Sequence, residues 1–124
     1  MPVIHAADAP TFDVGNGTIT GLASPSRGAE QVCAWQVELV PGAEVPPHSL
    51  SCEEVLVVTD GRLAVDLAGE DSEVAAGGAV VVPPGTTFVL RNRADEPVRF
   101  VAALTPGVIA SLHDGSTLAP PWAQ

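Results

Sequence analysis

Two side chains able to move a proton or hold a metal ion stand close together in this chain. His48 and Glu54 lie six residues apart in the stretch PGAEVPPHSLSCEEVLVVTDG, Pro41 to Gly61. An imidazole ionises near neutrality and serves as a general base or a ligand. A carboxyl becomes an acid at neutral pH when burial strips it of water. If the stretch is extended, alternate side chains share a face, so His48, Leu50, Cys52 and Glu54 point the same way. Leu50 cannot donate an electron pair. Cys52 can, and as a thiolate it would complete a three-ligand set with His48 and Glu54 that suits zinc or another soft metal. A loop or bulge at residues 49–53 would break this alternation, and a buried free Cys is commonly just a small apolar filler.

Composition removes several other chemistries. The net charge is −10, with five Arg and no Lys. Nucleic acid and anionic membranes both demand clustered cations, so neither is an expected partner. Without Lys there is no side-chain Schiff base, and without Tyr no phenolic acid. Ser49 and Ser51 flank His48, but no nucleophile elbow surrounds them. No apolar run approaches the roughly 20 residues of a membrane span, and no signal-peptide pattern opens the chain. The expected location is therefore cytoplasmic, with Cys33 and Cys52 as free thiols.

The elements that must position His48 and Glu54 are short strands. Gln31 to Val40 alternates, with Cys33, Trp35, Val37 and Leu39 on one side. Glu53 to Thr59, Arg62 to Leu67, Ser72 to Ala75, Thr86 to Arg91 and Val98 to Thr105 read the same way, and Ala79 to Val82 reads as a fully buried strand. Turn signals separate them at about ten-residue spacing, which argues for an all-β sandwich or barrel. Asn16-Gly17 signals a hairpin between Phe12–Val14 and Thr18–Thr20, and Val3-Ile4 suits a short edge or exchanged strand. Val108 to His113 reads as one helical turn, with His113 on the surface. The Pro120-Pro121-Trp122 tail is expected to dock, because an exposed terminal Trp is unfavourable.

Two glycine-proline segments carry a resemblance. Gly42, His48, Glu54 and Gly61 fall at the spacings of the first cupin signature, with Leu50 in place of its second His. Gly77, Pro83, Gly85 and Asn92 fall at those of the second, with Phe88 in place of its His. The chain thus resembles the cupin superfamily, and the pattern looks like small bacterial single-domain cupins with a Pro-Pro-Trp tail. The resemblance implies a double-stranded β-helix, a jelly-roll barrel with a short C-terminal helical turn. It implies one domain over residues 1–124: a signature-bearing core at about 31–105, an N-terminal arm at 1–30 and a tail at 106–124. Metal-binding cupins ligate zinc, iron, manganese or nickel through three His and one Glu. Position by position, only His48 and Glu54 carry over.

No metal cofactor is favoured on this reading. The expected function is binding of a small organic molecule in an apolar barrel walled by Trp35, Leu50, Cys52 and Phe88. Metal-independent proton transfer by His48 and Glu54, of isomerisation or cyclisation type, would accompany it. The alternative is a metal-dependent oxygenase, isomerase or cyclase using His48 and Glu54 with Cys52. A homodimer is expected, both from the resemblance and from the need to cover sheet edges.

Overall fold

A computed structural model describes residues 2–124. Twelve strands dominate it: β1 Thr11–Asp13, β2 Gly17–Ala23, β3 Cys33–Leu39, β4 Glu44–Leu50, β5 Glu54–Asp60, β6 Arg62–Leu67, β7 Glu70–Ala75, β8 Ala79–Val82, β9 Phe88–Arg91, β10 Val98–Leu104, β11 Ala110–Leu112 and β12 Thr117–Leu118. Three 3₁₀ turns, at Ala6–Asp8, Pro25–Arg27 and Pro121–Ala123, are the helical segments among the described residues. Among those residues no helix is long and apolar enough to cross a membrane.

The strands form two antiparallel six-stranded sheets in the orders β1-β2-β3-β10-β5-β8 and β12-β11-β4-β9-β6-β7. This is the all-β architecture expected from the turn spacing, and the jelly-roll that the cupin resemblance implied. The core lies between the sheets. In β3, Cys33, Trp35, Val37 and Leu39 are buried while the residues between them are half-exposed, as a period of two requires. β10 pairs with β3 on one side and β5 on the other, from Val98↔Leu39 to Leu104↔Cys33 and from Arg99↔Asp60 to Leu104↔Glu54. Glu54 therefore starts a strand in the interior of its sheet.

Corner residues explain why these strands turn where they do. Gly61 takes φ +79, and a Cβ there would come within 2.9 Å of the Pro97 carbonyl, so only glycine fits the Asp60-Gly61 turn. Asn92, 1% exposed, donates from Nδ2 to the Leu39 and Glu96 carbonyls at 3.2 and 2.8 Å. Its Oδ1 accepts the Ala94 amide at 3.0 Å, so one side chain ties the β9–β10 turn to the end of β3.

Several sequence expectations are corrected. Residues 108–113 form no helical turn, because β11 occupies Ala110–Leu112 and pairs with β4 as Ala110↔Leu50, Ser111↔Ser49 and Leu112↔His48. Ser51 fixes that pairing by accepting the Ile109 amide on its hydroxyl at 2.8 Å. β11 thereby covers an edge of β4 that would otherwise stay unpaired. The helical turn near the C-terminus is instead the one at Pro121–Ala123. β8 is an edge strand with Val81 53% exposed, not a fully buried one. Val3-Ile4 forms no strand, and Val3 is exposed. The Asn16-Gly17 hairpin is present, with Phe12 opposite Ile19.

Candidate functional site

Between the two sheets lies a cavity of about 460 Å³. Trp35, Val37 and Leu39 of β3, Leu56 of β5, Phe88 and Leu90 of β9, and Phe100, Ala102 and Leu104 of β10 wall it. Polar chemistry enters this apolar space mainly from two strands. β4 brings His48 and β5 brings Glu54, and both line the cavity.

His48 reaches the interior through an irregularity. β4 pairs with β9 as Val45↔Leu90 and then His48↔Phe88, so three steps on β4 oppose two on β9. Pro46 and Pro47 occupy the extra length. Neither has an amide hydrogen to offer a ladder, which is why the bulge falls there. The slip lets Val45 and His48, three residues apart, both face inward. The Pro46 carbonyl then accepts a hydrogen bond from His48 Nδ1 at 2.9 Å. A carbonyl only accepts, so the proton sits on Nδ1 and Nε2 carries the free lone pair. The imidazole also packs on its cross-strand neighbour Phe88, with ring centroids 4.2 Å apart and planes tilted by 45°. Burial pushes the His48 pKa below its ordinary value although the bond to Pro46 acts the other way.

Glu54 is 5% exposed. Its neighbours across the sheet are Leu104 and Val82. No hydrogen bond to its carboxyl is found among the described residues, desolvation being the one influence on it, and Glu54 lines the cavity. Burial without compensating contacts raises its pKa from 4.5 to about 8. At neutral pH the cavity therefore holds a protonated carboxyl and an uncharged imidazole. The two do not hydrogen-bond to each other; the Pro46 carbonyl, not Glu54, selects the tautomer.

Trp35, Leu50 and Phe88 line the cavity with His48 and Glu54, but Cys52 does not. β4 ends at Leu50 and β5 begins at Glu54, and the turn between them carries Cys52 into a separate open cleft with Ser51, Glu53, Pro84 and Thr105. The alternation that would have aligned four side chains stops at Leu50. Among the described residues no group of three His, Cys, Asp or Glu side chains is placed to hold a metal ion. The donor set of a metal-binding cupin does not fit here: Leu50 and Phe88 fill two ligand positions and Cys52 lies outside, which leaves two donors where catalytic sites use three or more.

The mouth adds residues that the sequence reading did not assign to the site. Asn16, on the β1–β2 turn, and His113, just after β11, both line it. Asn16 donates to the Glu44 carbonyl at 2.7 Å. Trp122 closes the remaining side, edge-on to Trp35 and Phe12 with ring centroids 6.5 and 6.0 Å away. The tail is held by Ser26, whose amide donates to the Gln124 carbonyl at 2.9 Å. Only the Trp122 docking was legible in the sequence, from the cost of leaving an indole in water.

The barrel, its corner glycines and its inward His and Glu define the class. Residues 35–104 match the cupin domain, and the chain belongs to that family. It is 29% identical over 99 residues to the tetracenomycin polyketide synthase protein TcmJ of Streptomyces glaucescens, covering 79% of this chain and 66% of that relative's length. In structure it resembles the polyketide cyclase RemF from Streptomyces resistomycificus, with a TM-score of 0.75 and 24% identity over 87% of this chain and 83% of RemF. It also resembles a sugar phosphate isomerase of the cupin superfamily from Silicibacter pomeroyi, with a TM-score of 0.69 and 22% identity over 86% of this chain and 74% of that one.

Proposed function

We propose that the barrel binds a small, mostly apolar organic molecule and moves a proton on it without a metal, in a cyclisation or isomerisation. The observation that carries this reading is the pairing of a buried, partnerless Glu54 carboxyl with a His48 whose Nε2 is free, in one apolar cavity. Likeness to a polyketide synthase protein and to a polyketide cyclase supports the cyclisation form of it. His48 Nε2 takes a proton from the carbon beside a substrate carbonyl while Glu54 gives its proton to that carbonyl oxygen. The product is a neutral enol, His48 is left protonated and Glu54 ionised. The enol carbon then attacks a second carbonyl of the same molecule, whose oxygen takes the proton from His48. As the enol reverts to a carbonyl its hydroxyl proton returns to the Glu54 carboxylate, which resets the site. The charges that develop fall on His48 and Glu54, opposite in sign and in one cavity, and not on the substrate as an enolate.

A general acid and base placed in this way contribute roughly 10²–10⁴-fold. The test is deuterium incorporation at the central carbon of benzoylacetone, followed by NMR. The protein should accelerate exchange over buffer, and His48→Gln and Glu54→Gln should each remove most of the gain. Above about pH 8 the rate should fall as Glu54 loses its proton. Exchange no faster than in buffer, or unchanged in His48→Gln, would sink the reading. Stoichiometric metal in purified protein that leaves with His48→Ala would remove its metal-free part. The homodimer belongs to the same proposal, through the outer face of β5 and β8, where Val57 and Val81 are exposed.

A further inference from the structure

The chain has five cationic side chains, all arginine, and none of them lines the cavity. Each is engaged elsewhere. Arg99 pairs with Glu38 at 2.7 Å, Arg93 with Asp71 at 2.9 Å, Arg91 with Glu44 at 3.1 Å and Arg62 with Glu73 at 3.9 Å. Arg27 donates to the Leu22 carbonyl at 2.8 Å and the Trp122 carbonyl at 3.5 Å. The backbone supplies no substitute, since the helical segments among the described residues are three-residue turns with no dipole to aim. His113 at the mouth is followed directly by the acid Asp114. An anion entering this space would leave its water and meet no compensating charge, which costs several kcal/mol.

What the interior does offer is His48 Nε2 as an acceptor and the Glu54 carboxyl, which no protein hydrogen bond engages among the described residues. Around them stand the rings of Trp35, Phe88, Phe100 and Trp122, suited to edge and offset contacts with another ring system. The volume of about 460 Å³ falls within the roughly 300–1,000 Å³ of sites for drug-sized ligands.

We propose, resting on the reading of this cavity as the substrate site, that it selects uncharged, ring-bearing hydroxyketones and rejects carboxylates and phosphates. The ligand gives a hydrogen bond to His48 Nε2 and takes one from the Glu54 carboxyl. Sugar phosphates, the substrate class in the name of one structural neighbour, fall on the rejected side.

The probes are fluorenone, 2-hydroxyfluorenone and fluorenone-2-carboxylate, which share one ring skeleton. Binding to the full chain at neutral pH is read from quenching of Trp35 and Trp122, the two tryptophans of the sequence, both on the cavity wall. The hydroxyketone should bind about 10-fold more tightly than fluorenone, the worth of one hydrogen bond. The carboxylate should bind at least about 100-fold more weakly than the hydroxyketone, a gap of about 2.7 kcal/mol. Leu118→Arg puts a cation at the mouth on a side chain that is 40% exposed, so folding is spared, and it should recover about 10-fold for the carboxylate. A carboxylate bound within about 3-fold of the hydroxyketone overturns the charge selection. Equal binding of fluorenone and the hydroxyketone overturns the donor half, and no saturable quenching by any probe overturns the whole. Charge selection that fails while benzoylacetone exchange persists leaves the proton-transfer reading standing; selection without exchange does the reverse.

Discussion

Glu54→Gln should make the protein more stable, by an amount that grows as pH rises from about 4.5 to about 8. The folded carboxyl holds its proton up to about pH 8, against 4.5 when it is free of the fold. Between those values the native state binds more protons than the unfolded chain, so stability falls as pH rises through the window. Below about 4.5 both states are protonated and nothing is lost; above about 8 both are ionised and the full cost is present. At 1.36 kcal/mol per pH unit, the gap corresponds to roughly 5 kcal/mol. Glutamine keeps the shape and polarity of the neutral acid and cannot ionise. The assay is urea denaturation of both proteins at about pH 5 and about pH 9. The variant should match the wild type within about 1 kcal/mol at the lower pH and exceed it by several kcal/mol at the higher. Surface acids held down by partners, such as Asp71 beside Arg93 and Asp114 beside Ser116, are common to both proteins and cancel. A difference that does not grow with pH would refute the claim that Glu54 sits uncompensated in an apolar cavity.

Two further outcomes follow from the geometry. Trp122→Ala should cost about 2 kcal/mol, roughly half the value for a fully buried Trp because the indole is half-buried, and Trp122→Phe should cost less; thermal denaturation reads both. The homodimer should appear in sedimentation velocity, and glutamate at both Val57 and Val81 should turn it into a monomer with unchanged circular dichroism.

The strand order needed the structure, but most of the strands and the family were written in short-range signals. The alternation of β3 and the turn residues at Gly42, Gly61, Gly77 and Gly85 depend on local sterics, so they read directly from the residue types. The fate of Cys52 did not. It depends on β4 ending at Leu50, and that end is set by Ser51 bonding to Ile109, a partner far along the chain. β11 was misread for the same reason. Three residues carry no period of their own, and β4 supplies the pairing that makes them a strand. Val80 and Val82 of β8 face inward as a buried run should, but the sheet stops there, and no amount of hydropathy says which strand is last. Pro46-Pro47 forms a bulge inside β4, and the hydrogen bond that the Pro46 carbonyl accepts from His48 could be seen only in three dimensions.

The place of β10 has a consequence for how the chain reaches this fold. Its partners β3 and β5 come early in the sequence, and neither can complete its ladder until residues 98–104 arrive between them. Such non-local pairing places the expected folding time in the slow range, roughly milliseconds to seconds. Meanwhile the run Val55-Leu56-Val57-Val58 presents an apolar, charge-free edge to solvent and to other chains. During refolding at high concentration this segment is where association between molecules should start, and a slow supply of chain should raise the yield.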